Sequence, residues 1–549
     1  MIANQGRIKT SLCGVDFHHP GAFWFGMVAT TLGVCLHLPM YVQARNMGYH
    51  LAGMPVDLPM LIGMFLVAVG FFASFYGLYP RGAEHIARST AQTRVGALDQ
   101  APITKAHVGL LIVMAIAVTI DVMKPTTLAF VVPGMAQEYG LRSPLNPTGD
   151  VPVALLPLSG ISGTVLGSFL WGWLGDRIGR RASILLAGMT FIGTSICGSM
   201  PNYYWNFLMC FIMGLGVGGM LPIAYALMAE TIPARHRGWL MVLIGGDIAA
   251  AYIITSWLAS ELVPQFSWRI LWLLGAPTGV LLIFLNRWIP ESPRFLLANG
   301  REAEARAVME RYGARIIEAK SELDIERNIE SSWAQLFGRA LRSQTTIIAV
   351  LGIGVGLVLF GFNLWIPTNL RKLGFTEVTA DRILRDSALI GFPFTIVVAW
   401  MYGFWSSKKT LILLTSITAA AMIAFAWTGD AIVENRILLY GLLVVPIWGI
   451  NTVTAVLAVY SSEIYPTRIR SKGSGLAAAA SKFGGVIIIG LVVLGVAAPS
   501  IASTTLIGAI PMTLAAIGII FFGVETRNRQ LEDITAEELK LSAAGRSST

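Results

Sequence analysis

The chain has 549 residues, of which 55% are apolar and only 13% charged, with a mean hydropathy of +0.66. A soluble domain carries about 25% charged residues, so a soluble enzyme is excluded. The net charge of +9 then reads as Lys and Arg gathered on cytoplasmic loops, not as a nucleic-acid surface.

A membrane-crossing helix takes about 20 apolar residues. Such runs occur fourteen times, at about 21–42, 58–79, 106–130, 152–175, 183–200, 206–229, 239–260, 268–288, 345–366, 386–405, 410–428, 436–460, 475–497 and 503–523. The predicted fold class is an all-α polytopic membrane protein. The first run follows a polar start and is longer than the apolar core of a secretory signal, so it is read as a retained anchor. Residues 1–104 form an N-terminal extension of two spans and a polar linker. Residues 105–288 hold six spans, and 289–344 is a mixed-charge cytoplasmic linker that includes Arg301, Glu302, Glu304 and Arg306. Six further spans occupy 345–523, and 524–549 is a cytoplasmic tail. An even count puts both termini on one side. With the N-terminus inside and residues at span ends counted with the nearer side, cytoplasmic segments hold 30 of the 40 Lys and Arg against eight outside, so both termini are expected in the cytoplasm, the chain lying in the inner or plasma membrane.

The two six-span blocks share landmarks. Gly172-Trp173-Leu174-Gly175-Asp176-Arg177-Ile178-Gly179-Arg180-Arg181 has a worn counterpart in Gly403-Phe404-Trp405-Ser406-Ser407-Lys408-Lys409, which sets Ser407 opposite Asp176. Glu230, Pro233 and Arg237 recur with the same spacing as Glu463, Pro466 and Arg470. Pro290-Glu291-Ser292-Pro293-Arg294 is echoed by Val524-Glu525-Thr526-Arg527. Three landmarks at nearly one offset indicate two parallel repeats related by an axis along the membrane normal.

On these motifs the sequence resembles the major facilitator superfamily over roughly residues 105–535. The Pro-Glu-Ser-Pro-Arg segment, Glu525-Thr526 and Leu531-Glu532-Asp533 are similar to the sugar-porter branch. Gly214, Gly216, Gly218 and Gly219 with Leu221-Pro222 and the Glu230 to Gly238 segment are similar to the aromatic-acid, nicotinate and synaptic-vesicle-glycoprotein-like branch. The resemblance implies two six-helix bundles that alternate access to a central site. It also implies that Asp176, Arg177, Arg180, Arg181, Glu230, Arg237, Glu291, Arg294, Glu463, Arg470 and Glu525 are gating residues at the inner ends of the helices, held by charge-assisted hydrogen bonds that break on opening.

Ionisable residues within spans are costly and so point to a role. Asp121 and Lys124 share a helix face in the third span and can neutralise each other. Asp247 and Lys482 occupy matching turns of the fifth helix in each block, where they can pair or separate. Asp121 and Asp247 are the proton-coupling candidates. Lys124 and Lys482 tilt the substrate toward a small organic anion such as an aromatic or carboxylic acid, with Tyr225, Asn363, Trp365, Trp448 and Asn451 on the helices that line the cavity in the resembled fold. The sugar-porter-like segments make a sugar or polyol the alternative substrate. A non-transporting receptor or scaffold, with the leading helices recruiting a protein partner or a second copy, is the alternative of another class. Cys13, Cys35, Cys197 and Cys210 include no CxxC pair, and Cys197 and Cys210 read as two buried thiols. No metal-ligand cluster and no GxxxxGK[ST] phosphate loop occur, so no metal or cofactor is expected and the energy source is an ion gradient, with the proton favoured.

Overall fold

The structure is a computed structural model that describes residues 10–12, 15–80, 101–143, 146–314, 333–338, 341–428, 435–465, 470–495 and 501–527. Among these, fourteen helices are long and apolar enough to cross a membrane: α1 (Pro20–Met47), α2 (Leu58–Leu78), α3 (Lys105–Glu138), α4 (Leu155–Gly175), α5 (Arg180–Ser199), α6 (Tyr203–Thr231), α7 (Arg235–Phe266), α8 (Arg269–Trp288), α9 (Arg342–Lys372), α10 (Glu377–Trp405), α11 (Ser407–Thr428), α12 (Ile437–Ile464), α13 (Lys472–Val493) and α14 (Thr505–Phe522). A small antiparallel hairpin of β1 (Thr10–Leu12) and β2 (Val15–Phe17), with Thr10 opposite Phe17, precedes them.

Each expected span has its helix, but several run longer. The 34 residues of α3 rise about 51 Å, well beyond the roughly 30 Å hydrocarbon layer. Helix α10 begins at Glu377, ahead of the expected start near 386, because the Thr376 hydroxyl caps it by accepting from the Thr379 amide at 3.3 Å. Asp381 is thereby carried inside the helix and buried.

Helices α7, α9 and α10 are among those that depart from a continuous α-helix. In α7 the helical run Ala234–Gly245 ends at Gly246, and a new run starts with Asp247. In α9 a π-helical stretch, Leu359–Asn363, separates Arg342–Val358 from the short half-helix Ile366–Lys372. In α10 a second π stretch, Met401–Trp405, ends the helix. Such interruptions free backbone and side-chain groups that an unbroken helix would occupy.

By contact the chain forms two units, one of Met1–Lys124, Leu166–Pro233 and Phe266–Ile317, the other of Pro125–Val165, Ala234–Gln265 and Glu318–Thr549. In the first, α1 and α2 pair closely along glycines. A Cβ on Gly33 would lie 2.6 Å from the Gly63 carbonyl oxygen, and one on Gly70 would lie 2.6 Å from that of Gly26. Between apolar helices in lipid, such close approach is what drives association. The pair rests on α5, with Val67 against Gly193, and Tyr41 donates its hydroxyl to the Phe266 carbonyl at 2.7 Å. Cys197 and Cys210 are buried thiols with no bridge between them. In the second unit α9 packs against α13 and α14, and α7 packs against α10 and α12.

Candidate functional site

Two carboxylates hold helix starts, one in each unit. Gly179 turns the chain at φ 93°, a conformation that favours glycine, and leads into α5. The first amides of a helix have no partner within it, and here both face Glu291. The Arg180 amide donates to Oε1 at 2.9 Å and the Arg181 amide to Oε2 at 3.3 Å, while the Ser292 amide adds 2.9 Å to Oε1. The Arg181 side chain is buried, its Nε donating to Asn286 Oδ1 at 3.1 Å, and Asn286 Nδ2 returns a bond to the Arg181 carbonyl at 2.9 Å. The Ser292 hydroxyl donates to Glu230, and Arg294 approaches Glu230 Oε1 at 3.8 Å. Burial pushes the Glu291 carboxyl above the usual range, against the pull of those three amides and the Arg180 charge.

The second unit repeats this pattern with other residues. Helix α11 starts at Ser407, whose amide and hydroxyl donate to Glu525 Oε1 at 2.9 and 2.6 Å. The Ser406 hydroxyl reaches Oε2, and the Arg527 amide reaches Oε1 at 3.0 Å. Glu463 Oε2 accepts from the hydroxyls of Thr526 and Tyr402, both at 2.6 Å. Burial works against the Glu525 charge, but these hydrogen bonds outweigh it and hold the carboxyl below its ordinary value. Glu291, Ser292 and Glu230 thus correspond in bonding to Glu525, Thr526 and Glu463, as the sequence offsets imply. Ser407 needs a correction. Its amide does for Glu525 what the helix-start amides of Arg180 and Arg181 do for Glu291, so the second loop is shorter than the alignment with Asp176 assumed. The side chains of Asp176 and Arg470 lie outside the described residues, as does Leu531-Glu532-Asp533. Arg177 stacks 4.2 Å from the Trp173 ring and donates to the Trp173 carbonyl at 2.8 Å, and Arg237 is part-buried in the first turn of α7.

The ionisable residues within spans fall into two groups. Asp121 and Lys124 are both buried in α3. Lys124 Nζ donates to Thr278 Oγ1 of α8 at 2.9 Å and lies 5.4 Å from the Phe191 ring centroid of α5, so its partners are inside the bundle. Asp247 opens the second run of α7, where the helix dipole favours a negative charge. It is part-buried, and its Oδ2 has no hydrogen-bond partner within the protein. Gly246 beside it faces Thr395 of α10, whose hydroxyl accepts from Trp448 Nε1 of α12 at 3.2 Å. Asn451, one turn along α12, is buried with Nδ2 unbonded. At the break in α9, Asn363 is buried with both amide atoms unbonded, and so are Trp365 Nε1 and Thr368 Oγ1. Buried polar groups are hydrogen-bonded in nearly all folded proteins, so this group of unbonded atoms makes the region the candidate ligand site. Lys482 is part-buried on α13, which packs on the π stretch of α9, and Tyr225 is part-buried on α6 of the first unit.

Two buried charges escaped the sequence reading. Arg269 is fully buried, donating to the carbonyls of Gly198 and Met200 at 3.3 and 2.8 Å, with its guanidinium 4.5 Å from the Trp268 ring. Asp381 is buried in the first turns of α10 with Oδ1 unbonded. The Thr376 cap was the signal for Asp381.

Known proteins resemble the chain over most of its length. The model of a family described as sugar (and other) transporter matches residues 136–537, and that of a family described as MFS/sugar transport protein matches residues 22–236. The niacin transporter NiaP of Acinetobacter baylyi is 26% identical over 450 residues, covering 80% of this chain and 99% of its own. The 4-hydroxybenzoate transporter PcaK of the same organism is 26% identical over 415 residues, covering 72% and 87%. A solved structure of the proton:xylose symporter XylE, bound to 6-bromo-6-deoxy-D-glucose, has a TM-score of 0.62 at 18% identity over 79% of this chain and 99% of that one. At that identity the likeness is one of fold.

Proposed function

The chain belongs to the sugar (and other) transporter family of the major facilitator superfamily, and from that premise we propose that it is a proton symporter for a small organic anion, an aromatic or carboxylic acid. It is a multi-pass membrane transporter, not an enzyme. In this reading the halves 105–288 and 345–523 alternate access to the site, both termini are cytoplasmic in the inner or plasma membrane, and the capped carboxylates Glu291 and Glu525 anchor the inner gate. Asp247 carries the coupling proton, Asp121 being buried beside Lys124. Lys482 supplies the cation for the substrate carboxylate.

The observation that carries the reading is the set of unbonded polar atoms at the helix breaks of the second unit and on α12 packed beside them: Asp247 Oδ2, both amide atoms of Asn363, Trp365 Nε1 and Asn451 Nδ2. Amides and indoles suit a ring bearing a carboxylate, and a niacin and a 4-hydroxybenzoate transporter are among the relatives. The same amides also suit a sugar or polyol, which keeps that class as the second reading. Thermal stabilisation of the purified protein by nicotinate, 4-hydroxybenzoate and xylose separates the two. Stabilisation by an acid, lost in Asn451→Ala and in Lys482→Gln, is expected. Stabilisation by xylose alone would replace the anion reading with the polyol one.

A further inference from the structure

Arg371, Glu377 and Asp381 meet where α9 ends and α10 begins, about two turns beyond the break in α9. Arg371 forms an ion pair with Glu377, and its Nε is buried without a hydrogen bond. Glu377 and Asp381 are four residues apart in one helix and so share a face. Asp381 is 1% exposed with Oδ1 unbonded, and Arg371 and Glu377 are the charges that act on it. Among its other neighbours, Tyr252 of α7 is buried with its hydroxyl unbonded. Within α10, Arg385 is engaged by Asp386 at 2.8 Å and Arg382 is exposed. The first run of α7 carries Arg235, His236 and Arg237 at its other end. Helix α12 contains one charged side chain after its first residues, Glu463, bonded to Tyr402 and Thr526 at the far end, and Tyr440 is its titratable group nearer the start.

The cluster therefore has two carboxylates and one cation, and the carboxylate that lacks the cation is the buried one. An ionised carboxylate in that position is costly, and two acids sharing one partner hold a proton between them. We propose that Arg371, Glu377 and Asp381 form a proton-binding site whose occupancy sets the position of the half-helix Ile366–Lys372. With the proton on Asp381, Arg371 serves Glu377 alone, the arrangement in the structure. When the Asp381 O–H breaks and the proton passes to water, the new carboxylate draws the unbonded Nε of Arg371. Arg371 belongs to the half-helix, and the π stretch Leu359–Asn363 is the hinge about which it swings. Thr368, on the same half-helix with its hydroxyl unbonded, moves with it. The inference rests on the transporter reading for its meaning in a cycle, but its test needs no substrate.

The full-length protein in lipid nanodiscs, with Cys13, Cys35, Cys197 and Cys210 changed to Ser, would carry nitroxides at Lys372→Cys and Trp427→Cys, both exposed positions. Pulsed electron paramagnetic resonance gives their separation from about pH 5 to about pH 9, the range over which perturbed carboxylates titrate. The parent should shift between two separations, and Asp381→Asn should keep the low-pH separation throughout. Glu377→Gln, which frees Arg371 for Asp381, should move the midpoint to lower pH by about one unit or more, and it decides the matter if Asp381→Asn does not fold. A parent that ignores pH, an Asp381→Asn variant that titrates like the parent, or a shift that follows sodium at fixed pH would each overturn the proposal. Failure of the transporter reading would appear separately, as absent uptake with the pH-driven shift intact.

Discussion

Glu525 keeps its charge because Ser406, Ser407 and the Arg527 amide donate to it. Its folded value lies below the ordinary 4.5, so the stability it contributes is present above that value and is lost as pH falls through the lower folded one. Glu525→Gln is therefore expected to destabilise the protein at pH 7 by about 1 kcal/mol, the scale for a part-buried group, and so to lower its melting temperature there, with parent and variant converging in acid. Melting curves across that range check this. Glu291 has the opposite sign: burial raises its value, so whatever charge it carries at neutral pH opposes stability. Glu291→Gln should accordingly change the melting temperature least at neutral pH, and a larger loss there than for Glu525→Gln would contradict this. The lysines divide in a similar way. Lys124 is bonded to Thr278 inside the bundle, so Lys124→Gln should destabilise the protein and leave substrate affinity nearly intact. Lys482→Gln should weaken binding of an anionic substrate about tenfold or more, the scale of one charge-assisted hydrogen bond, as titration of both variants with one ligand would reveal.

The α1 and α2 pair is held by glycines at close approach, so bulk there should be felt at once. Gly70→Leu is expected to cost about 2 kcal/mol, the usual scale of overpacking, because a Cβ at 70 already meets the Gly26 carbonyl and Thr30. Deleting residues 1–80 removes two spans and leaves Arg81, Arg88, Arg94 and Lys105 at the new N-terminus. The remaining twelve helices should insert with the C-terminus on its original side. A C-terminal reporter on the opposite face would refute that topology. All fourteen spans were legible in the sequence because hydropathy over 20 residues is a strong signal. The start of α10 was not, because Asp381, Arg382, Arg385 and Asp386 read as a loop until the Thr376 cap is weighed. The breaks in α7 and α9 were equally hidden: Gly245-Gly246 resembles any tight helix contact, and a π stretch has no signature in composition.

At the scale of the whole molecule, the duplication visible as repeated landmarks is matched in bonding, Glu291 with Ser292 and Glu230 in one unit, Glu525 with Thr526 and Glu463 in the other. The candidate site was only half legible. Asp247, Asn363, Trp365 and Asn451 could be named from their helices, but their unbonded atoms and the breaks beside them depend on tertiary packing. The central claim is proton-coupled transport of an organic acid, and uptake of radiolabelled nicotinate into proteoliposomes tests it most directly. With the outside made acidic, the parent should accumulate nicotinate above equilibrium. A protonophore should abolish the excess, and Asp247→Asn should still exchange nicotinate across the membrane without accumulating it. Nicotinate that only equilibrates whatever the gradient, while xylose accumulates under the same conditions, would contradict the account.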